Sequence, residues 1–145
     1  MSKTKELINE LLVEVFNNIL SIEEANLREQ GIDLSMNEVH ILEAINNSFE
    51  PSMTNVAKAL RITTGTLTTS ISRLVAKKYV VRYTDVEDRR KVLVKLTDKA
   101  DEVLKIHDGF HNQMIEAMIQ EMKIDEDEVL IKSLENIVEF FKLIY

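Results

Sequence analysis

The chain has no cysteine among its 145 residues, which excludes a disulfide framework, a thiolate metal site and a thiol redox switch. No apolar run approaches the roughly 20 residues of a membrane span. The opening stretch MSKTKELINE lacks the apolar segment of a signal peptide. These absences lead to the expectation of a cytoplasmic protein with no membrane association. A glycine-rich phosphate loop, a nucleophile elbow and any repeated carboxylate or metal-ligand spacing are also missing. No enzyme, cofactor or metal is therefore implied. A triad of His40 with threonine or serine can be written on paper, but nothing in the placement of those residues favours it. There is no low-complexity tract and no internal repeat. With 45% hydrophobic and 30% charged residues, the composition is that of an ordinary globular domain with helical extensions.

The net charge of −7 argues at first against a nucleic-acid binder. The distribution of that charge argues the other way. From Pro51 to Thr97 there are ten Lys/Arg against three Asp/Glu, a net of +7, whereas the remainder holds eight against twenty-two, a net of −14. A basic module between acidic arms suits a chain that presents one face to a polyanion.

Helical spacing dominates the rest. Over residues 4–29, Ile8, Leu12, Val15, Ile19 and Ile22 recur at steps of four and three, with Leu7, Leu11, Phe16 and Leu20 widening the stripe until Gly31 ends it. A stripe this broad calls for a partner chain. Ser35 and Glu38 form a capping box that opens a helix with Val39, Ile41, Leu42 and Ile45 inward. The only proline, Pro51, falls in a loop. Ser52 then caps a short helix, 53–60, burying Val56, Ala57 and Leu60.

A three-residue turn, 61–63, leads to a helix expected over 64–77 with Thr63 as N-cap. Two short helices so joined make a helix-turn-helix. Leu67, Ile71, Leu74 and Lys78 share one face of the second helix, while Gly65, Thr66, Thr69, Ser72, Arg73 and Ala76 lie opposite, with Thr68 at the margin. Threonine and glycine are poor helix formers. Small side chains let a backbone approach a major groove, and threonine offers both a hydroxyl and a methyl group. The candidate base- and phosphate-facing residues are Thr64, Thr66, Thr68, Thr69, Ser70 and Arg73.

YVVRYTDVEDRRKVLVKLT reads next as a strand at 80–84, a turn over 85–90 and a strand at 91–96, followed by a long helix from 98 to about 121 capped by Thr97. A hairpin placed directly after a helix-turn-helix is a wing. Arg89, Arg90 and Lys91 at its tip suit an electronegative minor groove. A winged module serving only protein contacts would have no need of three consecutive cations.

Asp88-Arg89-Arg90 in the wing, followed by Leu96-Thr97, and LVAKKYVVR at 74–82 resemble the MarR family of winged helix-turn-helix regulators. Tyr79 stands where that family commonly has glycine. FNNILSIEEANLR (16–28), TTGTLTTS (63–70) and FHNQM (110–114) are similar to members that repress fatty-acid synthesis genes. The resemblance implies a mainly α fold with a small β-wing, in which residues 1–34 and 98–145 form a helical dimerisation region around a DNA-binding region at 35–97. It implies an intertwined homodimer. The first helix would interdigitate with the last, expected over 126–144, whose apolar side carries Leu130, Leu134, Ile137, Val138, Phe141 and Ile144 behind an acidic opening, DEDE at 125–128. Recognition helices about 34–36 Å apart would read a palindromic operator. Arg90 would enter the minor groove, with Arg89 bracing the wing through Asp88 or Asp85.

The resemblance also implies a long-chain acyl-acyl-carrier-protein as corepressor. His107, Phe110, His111, Met114 and Met118 share one face of the long helix, and methionines adapt to variable apolar shapes. An acyl chain would meet Phe16, Ile19, Phe110, Met114 and Met118, with Arg28 facing the acidic carrier protein. Such a stripe serves a core more often than a pocket. Release by a small aromatic or amphipathic ligand is the alternative. His107 and His111 have the i, i+4 geometry of a metal site, but no acidic cluster lies near them in sequence.

Overall fold

The computed structural model describes residues 2–120 and 126–144. Helix α1 (Lys3–Glu10) passes through a π-helical turn at Leu11–Val15 into α2 (Phe16–Glu29). Then come α3 (Met36–Asn47), α4 (Met53–Leu60) and α5 (Thr64–Ala76), the strands β1 (Val80–Thr84) and β2 (Val92–Leu96), and the helices α6 (Asp98–Ile119) and α7 (Glu128–Ile144). The fold is mainly helical with one antiparallel hairpin, Val80 pairing with Leu96 and Thr84 with Val92. By contacts the chain divides into two compact units, one ending at Asp108 and the other beginning at Gly109.

The first helical run departs from the uniform helix expected over 4–29. The Phe16 amide donates to the Leu11 carbonyl, five residues back, and the Asn17 side-chain amide takes the Val13 carbonyl at 3.0 Å. One extra residue per turn rotates the remainder of the run by about 100° relative to an unbroken α-helix. The apolar stripe is therefore offset at Leu11–Val15. Leu7, Ile8, Leu11, Leu12, Val13, Val15, Phe16, Leu20 and Ile22 are all exposed in the single chain.

The core of the first unit lies among α2 to α6 and the hairpin. Leu27, Val39, Leu42, Val56, Leu67, Ile71, Leu74, Val80 and Val94 are almost wholly excluded from water. The local signals behind these elements act as expected. Ser35 Oγ accepts from the Glu38 amide at 3.2 Å while Glu38 Oε1 accepts from the Ser35 amide at 3.1 Å. Ser52 and Thr63 cap α4 and α5 in the same manner, at 3.1 Å each. Each cap contributes about 1 kcal/mol. At the start of α6, Thr97 Oγ1 accepts from the Ala100 amide at 3.4 Å and donates to the Lys78 carbonyl at 2.7 Å.

Three helices of this unit end alike. Gly31, Arg61 and Lys78 have φ of 75°, 57° and 68°, and the next amide in each case returns to a carbonyl five residues back: Ile32 to Leu27, Ile62 to Ala57, Tyr79 to Leu74. These are Schellman ends, which glycine fits best. Lys78 is thus not part of the apolar face of α5, as the wheel suggested, but the left-handed residue beyond it. Tyr79 has no need to be glycine. It is buried, with the Lys99 ammonium 4.3 Å from its ring centre.

The second unit comprises the end of α6 and α7. Asp127 Oδ1 accepts from the Leu130 amide at 3.0 Å, so a single aspartate caps α7. Asp125, the first residue of the acidic opening expected at 125–128, lies outside the described residues. No α7 residue is buried. Leu134, Ile137, Val138 and Phe141, all expected on its apolar side, are exposed, and so are Val129, Phe140 and Leu143 around it.

Candidate nucleic-acid interface

On α5, Leu67, Ile71 and Leu74 fix the helix to the core, and its outer face is a sheet of small polar groups. Thr68 Oγ1 donates to the Thr64 carbonyl at 2.7 Å, Thr69 Oγ1 to Gly65 at 3.3 Å and Ser72 Oγ to Thr68 at 2.9 Å. Hydroxyls that donate to the preceding turn satisfy themselves without competing for the helix amides. What holds this helix of weak formers is its buried side, Leu67, Ile71 and Leu74. Toward solvent these side chains present lone pairs and methyl groups, suited to accept from base amino groups and to touch thymine methyls. A Cβ on Gly65 would meet only Thr63 Oγ1, 3.9 Å away. Nothing in the chain requires glycine at this exposed position, so the open backbone there is available to an outside surface.

The wing stands beside this face and is fastened to it. Arg82 Nη2 of β1 donates to Ser72 Oγ at 2.7 Å and approaches the Thr68 carbonyl at 3.5 Å. Strand β2 is sewn to the start of the helix-turn-helix, since Val94 donates to the Pro51 carbonyl at 2.9 Å and Leu93 bridges to Ser52. Proline, lacking an amide hydrogen, contributes only an acceptor at this edge.

At the wing tip, Asp85 Oδ1 accepts from the Glu87 and Asp88 amides at 2.8 and 3.4 Å, and Asp88 Oδ1 accepts from the Arg90 amide at 3.1 Å. Both aspartates thus accept from backbone amides of the turn. The brace involves a different arginine, however. Arg90 Nε lies 3.4 Å from Asp88 Oδ1, so Arg90, not Arg89, meets the aspartate. The pairing results from the turn, which brings residue 90 back over 88. The Arg90 side chain is still 94% exposed, and its guanidinium can leave Asp88 at little cost.

Lys91 is held more firmly. Its ammonium bonds the Glu50 carboxylate in the loop before α4. That hydrogen bond, reinforced by the charges of Asp85 and Asp88, raises the Lys91 pKa above its ordinary 10.5. Glu50, Thr54, Asn55, Thr64, Arg90 and Lys91 line a groove of about 450 Å³ between the helix-turn-helix and the wing. Sequence reasoning missed Glu50 and Arg82 as parts of this face. No local spacing links them to Lys91 and Ser72, and only the folded hairpin brings them together.

A hydroxyl-coated helix fastened to an arginine-tipped hairpin can now be compared with known proteins. The MarR family model matches residues 32–91, from before α3 to the wing tip. FabT of Streptococcus pneumoniae, solved in complex with DNA, is 37% identical, with a TM-score of 0.87 over 97% of this chain and 99% of that one. The chain belongs to the MarR family. MarR-family regulators bind DNA and are not enzymes. The fold is shared at lower identity by BldR of Sulfolobus solfataricus, 24% identical with a TM-score of 0.65 over 96% and 99% of the two chains. It is shared also by an S. aureus MepR mutant bound to an oligodeoxyribonucleotide, 18% identical with a TM-score of 0.64 over 92% and 97%. Among curated proteins nothing matches.

The other candidate residues of this MarR-family protein are spread through both units. Phe16 and Ile19 lie on α2 in the first, Phe16 largely exposed and Ile19 half-buried. Phe110, Met114 and Met118 lie along α6 in the second, the first two half-buried and Met118 exposed. Arg28 is exposed in the last turn of α2. His107 is buried, with Nε2 3.2 Å from Glu43 Oε1, and the buried Glu23 offers a carboxylate oxygen within 4.8 Å of a His107 nitrogen. No local spacing hinted at these acidic neighbours, which come from α2 and α3. Both lie near His107 inside the first unit, and His111, the other histidine of the i, i+4 pair, belongs to the second. No helix among the described residues is long and apolar enough to cross a membrane.

Proposed function

We propose that this MarR-family protein is a homodimeric repressor of fatty-acid synthesis genes that binds a palindromic operator with residues 35–97. The observation that carries the reading is the α5 face, with Thr64, Thr66, Thr68, Thr69, Ser70 and Arg73 beside a wing tipped by Arg89, Arg90 and Lys91. Likeness to a FabT solved on DNA supports it. Residues 1–34 and 98–145 form the dimerisation region. Their support is the apolar surface of α1, α2 and α7 that the single chain leaves exposed, far more than a monomer keeps wet.

Long-chain acyl-acyl-carrier-protein is the corepressor in this reading. Its acyl chain is received by Phe16, Ile19, Phe110, Met114 and Met118, and Arg28 faces the acidic carrier. A ligand strengthens DNA binding only as far as it prefers the DNA-competent form, and DNA strengthens ligand binding equally. The test is a gel shift on palindromic duplexes with and without acylated carrier protein. Tighter binding with the long-chain acyl form alone is expected. Met114→Trp should abolish that gain and leave basal DNA binding intact. Equal shifts with acylated and unacylated carrier would defeat the corepressor assignment alone.

A second reading, release by a small amphipathic ligand, has one observation in its favour. A groove of about 800 Å³ in the first unit is walled by Ile45, Pro51, Val81, Tyr83 and Leu96, with Lys95 and Asp101 also lining it. Loss of the operator complex on adding small aromatic acids, suppressed by Lys95→Gln, would select it.

A further inference from the structure

We propose that Glu50 is a built-in attenuator of DNA affinity, a carboxylate that withholds Lys91 from the DNA backbone. The inference rests on the DNA-binding reading and adds a residue to it.

Three observations carry it. First, Lys91 shares one groove with Arg90 of the wing and Thr64 of the recognition helix, a place open to a phosphate between the two. Second, its ammonium is already bonded to Glu50. Lys91 must leave or share that carboxylate before it can displace counterions from a duplex, and Glu50 adds a negative charge to the same groove. Third, the pair is dispensable for the fold. Strand β2 is anchored to this loop by the Val94 to Pro51 backbone bond and the Ser52–Leu93 bridge, with Leu93 and Val94 buried. Lys91 and Glu50 are 33% and 44% exposed, and ion pairs that wet contribute little to stability. An acid that stabilises little and sits among the cations of a DNA-facing groove acts chiefly on binding. Affinity held below its ceiling leaves room for an effector to raise it.

The test is a salt titration of operator binding by the full-length protein. Glu50→Gln should bind about three- to tenfold more tightly near 0.1 M salt, and its plot of log affinity against log salt should steepen by about one unit. In the wild-type background Lys91→Gln should flatten the slope by clearly less than one unit, because Glu50 competes with phosphate for that lysine. In the Glu50→Gln background the same Lys91→Gln change should remove the added unit. Thermal melting serves as the fold control, with Glu50→Gln expected within a few degrees of wild type. Weaker binding by Glu50→Gln, or an unaltered slope, would show the pair to be a brace and overturn the inference. A slope that flattens by a full unit on Lys91→Gln alone would show that Glu50 withholds nothing, which overturns it too. If wild type binds no duplex even at low salt, the functional reading falls and takes this inference with it. Binding by wild type with no response to Glu50→Gln removes this inference only.

Discussion

Helices α5 and α7 are both amphipathic by sequence, yet the chain treats them oppositely. α5 buries Leu67, Ile71 and Leu74 completely and shows water mostly small hydroxyl groups, with Arg73 among them. α7 buries nothing and exposes apolar side chains on every side, Val129 and Leu143 included. The basic module around α5 is finished within one chain, so its outer face is free for a ligand. α7 is unfinished, and an apolar helix face of that width is stable only when covered. One surface suits DNA; the other, in the proposed homodimer, is covered by a second copy.

The strongest way to break this contrast is to charge α7. Ile137→Glu with Phe141→Glu should convert the expected dimer into a monomer of about the 16.7 kDa chain mass by sedimentation, since an unpaired buried charge costs about 3–5 kcal/mol. The winged module should stay folded by circular dichroism. A dimer that survives both charges would place its interface elsewhere. Leu67→Ala strikes the finished side instead and should cost about 2–5 kcal/mol in denaturant unfolding, the cavity having no water to fill it. A loss under about 1 kcal/mol would mean that α5 is not anchored as described.

Smaller effects separate the two arginines and the helix face. Arg90→Ala should weaken operator binding by about 1–3 kcal/mol and flatten the salt dependence by about one unit. Arg89→Ala should give the lesser loss if Arg90 is the one entering the minor groove, and fluorescence anisotropy on a labelled duplex can rank the two. Gly65→Ala gives the subtlest comparison. The methyl meets no wall and the helix gains up to about 1 kcal/mol, so the protein should melt higher. If the open backbone serves DNA, the same variant should bind its operator less well. Higher melting with unchanged binding would remove Gly65 from the interface.

Much of the module was legible because its signals are local. Ser35 with Glu38, Ser52 and Thr63 announce helix starts through bonds spanning three residues, and Leu67, Ile71 and Leu74 repeat at the helical period. The hairpin was equally readable from its alternation and its acidic turn. The errors came where one residue changes the register or the handedness of the backbone. The π-helical turn at Leu11–Val15 leaves no mark in the apolar spacing. Lys78 continued the wheel on paper, but the chain turned left-handed there to end α5.

The amino-acid order alone thus determined which segments coil, where they begin and which faces are apolar, because capping and periodicity act within one or two turns. Which cations are free for DNA was decided by tertiary structure. Arg82 reaches Ser72 and Thr68 only once the hairpin lies against α5. Lys77 lies 3.4 Å from Glu38, thirty-nine residues away in sequence. Lys91 meets Glu50 across forty-one. None of these three cations has its partner encoded in its own neighbourhood. Their availability depends on which partner the fold brings within a few ångströms, and that distance exists only after the strands and helices have packed.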